Sequence, residues 1–343
     1  MDREPRRYKE SEDALHALEE VFAAAPKRRK KNFLQRNFVP VRGDSKKEKL
    51  RKAMVNFCLF VIFVCILVLL WYFVIDKWVS APPPPPESRT ESYTTPEGST
   101  EIREIRVIDW AGLKALNPEV VCWLKIPGAK VDLPIVQTLD NVYYLKRDFK
   151  CKPSRYGNPF MDWRNKLEPM DTNLIIYGHH MKDGTIFGRL KEYEKRDVVA
   201  NNPIITLETP EATYYYKVIA VLNVNGAPGE DRNYVFHFDT PRIPKKEDFD
   251  GFVKQLRQRT LINTGVDVQY GDHLLSVQTC LYDFKDEFLV LVARRVREGE
   301  GLEIDTNLVQ KNPNPRYPQA WYDRFNGGRN PFRDAELWYP PAQ

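Results

Sequence analysis

Cysteine is scarce in this sequence, with five residues among 343. That number is too small for a disulfide-stapled scaffold, which excludes the small disulfide-rich domains of secreted proteins. Cys58 and Cys65 also lie inside the most apolar stretch of the chain, which leaves Cys122, Cys151 and Cys280 for packing or chemistry elsewhere.

Charge is absent from residues 53–75, which read AMVNFCLFVIFVCILVLLWYFVI. A run of this length is enough to cross the hydrocarbon core of a bilayer, which is about 30 Å thick. A cleaved signal peptide is the alternative, but its apolar region would be shorter, closer to the N-terminus and followed by small residues at a cleavage site. The stretch therefore predicts one transmembrane helix.

Acidic residues are the minority before this span, because residues 1–52 hold 16 Lys and Arg against 9 Asp and Glu. By the positive-inside rule this basic tail should stay in the cytoplasm, so that the bulk of the chain lies outside the cell. The net charge of +5 belongs to the tail, and the remainder is slightly acidic. The basic balance therefore does not indicate nucleic-acid binding.

Apolar residues are also few after the span, where five consecutive prolines at 82–86 precede the polar segment ESRTESYTTPEGSTE. A proline run favours the extended polyproline II conformation, and the polar segment offers little surface to bury. Residues 76–102 are therefore predicted to form a stalk, stiff at first and then flexible.

Short apolar runs rich in β-branched and aromatic residues dominate residues 103–298, each bounded by Gly, Pro, Asn or Asp. Seven or eight such strands predict one β-barrel or sandwich with added helices, rather than a doubly wound α/β fold. Residues 299–343 turn polar and proline-rich yet keep seven aromatic side chains, too many for an ordinary disordered tail. This C-terminal extension either packs on the domain or contacts a partner.

Two residues at strand ends form the minimum set for a thiol acyl-transfer enzyme. Cys280 ends the run SVQTC and precedes a polar turn, and His179 follows the run NLIIYG at another predicted strand end. The plainer alternatives are a small buried cysteine and a loop histidine bonded to backbone. His179 and His180 are adjacent and lack a spaced set of Cys or carboxylate ligands, so a zinc site is not indicated.

Four sequence blocks in order, NPEVVCWLKIPGAKVDLPIVQTLDNVYYLKRDF, GNPFMDWRN, NLIIYGHHMKDGTIFG and QTCLYDF, resemble class B sortases over residues 117–296. The resemblance implies a closed β-barrel of about eight strands with added helices, and a cysteine transpeptidase on the membrane of a Gram-positive cell. Such an enzyme cleaves the C-terminal sorting signal of secreted proteins and transfers them to an amine of a peptidoglycan precursor or a pilin. The resemblance makes Cys280 the nucleophile and His179 the acid/base group, with no cofactor and no metal ion.

The sequence departs from the family at the third catalytic position, an arginine eight to ten residues after the cysteine. Phe288 and its neighbours fill that interval, and Arg294 and Arg295 lie too far along the strand to replace it. Candidates for binding substrate or the oxyanion are Thr279, next to the nucleophile, and Arg232 and Arg189 on other loops. Backbone N–H groups are a further alternative.

Cys122 and Cys151 stand where the family more often has glycine, and either two free thiols or a disulfide is compatible with the extracellular side. Two functions therefore remain open. The first is an active, membrane-anchored sortase, which retention of Cys280 and His179 favours. The second is a sortase-fold binding or scaffolding protein with impaired catalysis, which Phe288 favours.

Overall fold

The structure is a computed structural model that describes residues 32–75, 80–94, 100–228, 231 and 233–341. The chain divides into two compact units, 1–75 and 76–343, and each is described by itself. Of the predicted cytoplasmic tail, residues 1–31 lie outside the described part of the chain.

The first unit contains a short helix, α1 (Phe33–Asn37), and a long one, α2 (Lys46–Leu70), which continues as a π-helical turn at Trp71–Ile75. Helix α2 is apolar enough and long enough to cross a membrane. It begins seven residues before the charge-free run, because Ser45 and Glu48 form a capping box that satisfies the first backbone donors. The buried Lys52 amino group donates to the Asp44 carboxylate over 2.7 Å, so this cation is paired before the apolar run begins.

The second unit begins with an antiparallel hairpin of β1 (Glu87–Thr94) and β2 (Thr100–Val107). The hairpin occupies part of the segment predicted to be a flexible stalk, so that part is a paired ribbon. Arg106 at its end binds the Asp132 carboxylate over 2.7 Å and approaches Glu208 at 3.5 Å. These ion pairs join the hairpin to the strands that follow it.

A closed barrel of eight strands forms the centre of the second unit, which confirms the predicted fold class. Around the barrel the order is β10-β11-β8-β7-β3-β4-β5-β6, with β6 beside β10. Side chains such as Leu124, Ile176, Val277 and Leu291 fill its interior and are fully buried. The barrel strands are β3 (Val120–Ile126), β4 (Val131–Val136), β5 (Phe160–Met161), β6 (Asn173–Tyr177), β7 (Ile204–Glu208), β8 (Thr213–Asn225), β10 (Leu274–Cys280) and β11 (Glu287–Arg295).

Helices and short segments surround this barrel. The amphipathic helix α5 packs Phe249, Phe252 and Leu256 against barrel residues such as Leu222 and Val290. The helices of this unit are α3 (Trp110–Leu116), α4 (Arg196–Asn201), α5 (Lys246–Arg259) and α6 (Gln319–Phe325). Short 3-10 turns lie at Pro127–Ala129, Tyr143–Lys146, Leu190–Glu194 and Thr306–Leu308, and a small ribbon pairs β9 (Ile262–Asn263) with β12 (Gln310–Lys311).

The C-terminal extension packs back on the domain. The Trp338 ring lies 5.0 Å from the Phe252 ring between centroids, and its indole N–H donates to Asp248 O over 2.9 Å. The Tyr234 hydroxyl donates to Trp338 O over 2.8 Å. The sequence left open whether this extension packs on the domain or contacts a partner, and the structure shows that it packs on the domain.

The two cysteines at atypical positions are both free. Cys122 is fully buried in the barrel interior, whereas Cys151 packs in a separate apolar cluster around Tyr144 and Phe149. The structure therefore favours two free thiols over a disulfide.

Candidate active site

Strands β6 and β10 bring Cys280 and His179 to the same edge of the barrel. They pair in parallel, with Gln278 opposite Tyr177, and the Gly178 N–H continues the ladder by donating to Gln278 O over 3.1 Å. Two residues further along, Cys280 is level with His179. Neighbouring strands lie about 4.8 Å apart and opposed residues share one face of the sheet, so continuation of this register brings the thiol and the imidazole to the same side of the sheet.

The 3-10 turn Tyr143–Lys146 orients the His179 ring. Its Nε2 atom lies 2.7 Å from Leu145 O. A carbonyl only accepts hydrogen bonds, so Nε2 carries the proton and Nδ1 is the nitrogen left to exchange one. Gly157, with φ +61°, is required beside the ring, because a Cβ atom there would lie 2.6 Å from Tyr144 O and 3.0 Å from the imidazole.

Thr279 fixes the junction between the two strands. Its side chain is 1% exposed, and its hydroxyl donates to Gly178 O over 2.8 Å. The donor that was a candidate for substrate binding is thus already engaged with backbone. Gly178 itself allows no side chain, because a Cβ atom would lie 2.5 Å from the Phe187 ring.

The Cys280 thiol is half-buried at the end of β10. Burial raises its pKa, and the negative charge of Asp286 in the following loop raises it further. The resting thiol is therefore neutral at neutral pH, and it needs a base to become a nucleophile.

Phe288 faces Cys280 directly across the β10–β11 pair. Its ring packs on Gly226, where a Cβ atom would overlap the ring. Arg294 pairs instead with Leu274 at the far end of the strands, where its guanidinium donates to Glu300 over 2.8 Å. Arg295 lies over the Tyr214 ring at 4.4 Å. Neither arginine replaces the family residue.

The sequence also suggested two arginines on other loops as replacements for the family arginine. Arg189 is exposed, its side-chain stem lies 3.3 Å from the position of a Cβ atom at Gly184, and its charge acts on Glu192. Arg232 lies outside the described residues.

The sequence patterns did not indicate the buried carboxylate of Asp162, which lies near the site. Asp162 is fully buried, and its carboxylate accepts from Tyr177 Oη over 2.8 Å, from Asn141 Nδ2 over 2.9 Å and from Arg164 over 2.7 Å. Burial opposes its ionisation, but the hydrogen bonds from Arg164 and Tyr177 hold the pKa of Asp162 below its usual value. Tyr177 precedes His179 by two residues on the same face, so this network supports the site. In the sequence, the block GNPFMDWRN holds both Asp162 and Arg164, and this close pair of opposite charges was the available signal for the network.

The family model for the sortase domain matches residues 124–296. The chain belongs to the sortase family. Curated relatives place this sortase in class B: sortase B of Listeria monocytogenes is 31% identical over 55% of this chain and 73% of that protein. Sortase B of Staphylococcus aureus is 28% identical over 54% of this chain and 73% of that protein.

Solved structures agree with this assignment. Sortase B of Clostridium perfringens has a TM-score of 0.50 and 29% identity, covering 55% of this chain and 99% of that one. A complex of Staphylococcus aureus sortase B with a substrate has a TM-score of 0.50 and 26% identity, covering 55% of this chain and 86% of that one. The shared part of this sortase is its barrel domain.

Proposed function

We propose that this sortase is a cysteine transpeptidase that cleaves a C-terminal sorting signal through a Cys280 thioester and passes the acyl group to an amine. The observation that supports it most is the parallel β6–β10 register, in which Gln278 lies opposite Tyr177 two residues before Cys280 and His179, together with the hydrogen bond of the His179 ring to Leu145 O. The complex of Staphylococcus aureus sortase B with a substrate supports a peptide-type substrate. The acceptor would be an amine of a peptidoglycan precursor or of a pilin-like protein.

In the first half-reaction, Nδ1 of His179 accepts the thiol proton while Sγ attacks the substrate carbonyl. The tetrahedral intermediate collapses to a thioester as the imidazolium returns that proton to the departing amine. In the second half, the acceptor amine attacks the thioester and gives its proton to the same imidazole, and the Cys280 thiol is regenerated. One histidine serves both halves, and no net proton is consumed.

The unit that precedes the barrel supports a membrane anchor. Helix α2 is followed by the catalytic unit and preceded by the basic tail, so we infer a single pass with a cytoplasmic N-terminus and an extracellular barrel. Secreted proteins would then meet the enzyme at the cell surface.

A second function has one observation in its favour. Phe288 stands opposite the nucleophile, where a side chain that stabilises the oxyanion is expected in the family, and Asp286 places a negative charge nearby. A sortase-fold binding or scaffolding protein with slow or lost catalysis would tolerate both. Cys280 and His179 would then have no chemical role.

Thioester capture of sorting-signal peptides separates the two functions. Cys280→Ala should abolish the covalent adduct in mass spectrometry with little change in Tm, because a half-buried thiol contributes little packing. Cys151→Ala is the matched control, since Cys151 is another half-buried free thiol. Absence of an adduct from the unmodified protein with a panel of secreted-protein C-termini would favour the scaffold, and an adduct that survives Cys280→Ala would exclude this nucleophile.

A further inference from the structure

One residue holds the loop that follows the nucleophile. The main-chain oxygen of Glu287 accepts from the Leu281 N–H over 2.8 Å, and its carboxyl Oε2 accepts from the Asp283 N–H over 2.8 Å. Hydrogen bonds to the backbone and to the side chain of Glu287 therefore hold the loop 281–286 closed. Because Leu281 follows Cys280 directly, the position of this loop determines the surroundings of the thiol.

The Glu287 side chain is 1% exposed, and its second carboxyl oxygen, Oε1, is buried without a hydrogen-bond partner among the described residues. A buried carboxylate oxygen with no donor is costly, whereas a protonated carboxyl is tolerated. The geometry alone thus favours the neutral form of this side chain.

Negative groups surround this carboxyl. Glu194, at the end of the 3-10 turn Leu190–Glu194, has a buried carboxyl that accepts from Asn223 over 3.3 Å, and burial raises its pKa. Asp283 lies in the loop, and the Tyr317 phenol approaches from the C-terminal extension. The nearby cation, Lys191, is bound to Asp283 over 3.2 Å at the surface.

Burial raises the pKa of Glu287 to about 7; the negative charges of Asp283 and Glu194 add to this shift, and the backbone N–H groups of Asp283 and Phe284 oppose it. Below that pH the carboxyl is neutral and both hydrogen bonds to the loop are compatible with its burial. Above it, ionisation puts a second charge beside Glu194 and leaves Oε1 unsatisfied. Movement of the carboxylate into water relieves both costs, and it breaks the hydrogen bond to Asp283.

We propose that Glu287 is a positioning residue whose proton keeps the 281–286 loop closed beside Cys280, so that loss of this proton to solvent opens the loop and slows acyl transfer. The slowing of acyl transfer rests on the proposed transpeptidase function; the opening of the loop does not. The extracellular pH would then set the activity of this sortase independently of the Cys280–His179 pair.

Amide hydrogen exchange tests the loop directly. In the unmodified protein, the Leu281 and Asp283 amides should exchange up to about tenfold faster per pH unit between about pH 4.3, the pKa of an exposed Glu, and about pH 7, after correction for the intrinsic rates. The increase should level off above about pH 7, where Glu287 is ionised in the closed and the open loop alike. Glu287→Gln retains the acceptor for Asp283 but has no proton to lose, so these amides should stay protected at about pH 8. Glu211→Gln, at an exposed turn, is the control and should behave as the unmodified protein.

A second variant keeps the proposal open to refutation if Glu287→Gln folds poorly. Glu194→Gln removes a repelling carboxylate, which should move the pH at which loop opening levels off. Removal of a negative neighbour favours ionisation of Glu287, so the expected shift is to lower pH. Loop opening unchanged in both variants would overturn the role of Glu287.

The rate of thioester capture supplies the functional readout. The ratio of the Glu287→Gln rate to the unmodified rate, taken at each pH, measures the contribution of Glu287. This ratio should be near one at about pH 5, rise by up to about tenfold per pH unit as the pH approaches about 7, and level off above that pH. A flat ratio would overturn the effect on acyl transfer. If no variant captures a peptide at any pH, the proposed function fails while the exchange data still decide the loop.

Discussion

Phe288 stands where the resemblance to class B sortases implies an arginine. An aromatic ring has no donor for the developing oxyanion, and loss of one such donor typically costs about 10²–10³ in rate. The register places the ring opposite Cys280, so a longer side chain from this position projects from the same face of the sheet as the thiol.

Phe288→Arg should therefore raise the rate of thioester formation, by about tenfold or more, because a guanidinium would supply the missing donors. Single-turnover mass spectrometry with a reactive sorting peptide measures this rate. Phe288→Met is the control for relief of the ring contact with Gly226. An equal gain in both variants would show that packing, and not a missing donor, limits the enzyme.

Gly157 illustrates how a residue without a side chain serves the chemistry. Gly157→Ala should strain the backbone by about 1–2 kcal/mol and push on Tyr144 O and the His179 ring, so both Tm and the acylation rate should fall. Gly327→Ala is matched to it, because Gly327 has φ +57° and no heavy atom within 4 Å of a Cβ atom. Its acylation rate should remain unchanged, and a loss equal to that of Gly157→Ala would point to backbone strain alone.

At the scale of elements, the end of β11 remote from the site depends on buried charges. Arg294 is fully buried and Lys217 nearly so, and both bind the carboxylate of Glu300 in the segment after β11. Breaking a buried pair by removing one partner leaves the other charge without compensation. The barrel therefore relies on a residue beyond its last strand.

Glu300→Gln should destabilise the domain by about 1.5–3 kcal/mol, the usual worth of hydrogen bonds to charged groups, measured by urea unfolding near neutral pH. Hydrogen bonds from Arg294, with those from Lys217, hold the pKa of Glu300 well below its usual value. The stabilisation is present above the pKa of an unfolded Glu, about 4.3, and is lost as the pH falls below it. The variant should thus lose stability less steeply in acid, whereas Glu336→Gln, in the exposed pair with Lys254, should match the unmodified protein.

Local patterns in the sequence predicted most of the barrel strands and the positions of Cys280 and His179 along them. Strand runs that end in SVQTC and NLIIYG placed Cys280 and His179 correctly at strand ends, because strand and turn signals are short-range. The Asp162 network joins residues far apart in sequence, so it needed the fold. The β1–β2 hairpin includes the polar segment ESRTESYTTPEGSTE, which has few apolar residues, so the sequence predicted a stalk there. Whether Cys280 and His179 perform the chemistry stays a prediction.

At the scale of the molecule, the hairpin determines where the folded second unit begins. Arg106 closes a cluster in which Asp132 also accepts from the Trp123 indole over 2.6 Å, and Glu208 is nearly buried. A chain that starts after the hairpin leaves these carboxylates without their guanidinium.

A fragment from residue 81 to 343 should be soluble and fold without the apolar helix, since the second unit has its own core. A fragment from residue 108 should be less stable by about 1.5–3 kcal/mol, the usual worth of hydrogen bonds to charged groups. Urea unfolding of both, with Arg106→Ala in the longer fragment, measures the difference. Equal stability of the two fragments would show that the hairpin is dispensable.

The parallel pairing of β6 and β10 also sets the order of events when the chain folds. Gly178 and Thr279 are bonded neighbours, yet they lie 101 residues apart in the sequence. Contacts of such separation close late, because the loop entropy is lost before the contact is gained. A chain synthesised from its N-terminus contains its histidine strand long before its cysteine strand is available. Under the proposed function, a nascent chain would therefore be inactive, and only molecules that have completed the barrel would form a thioester.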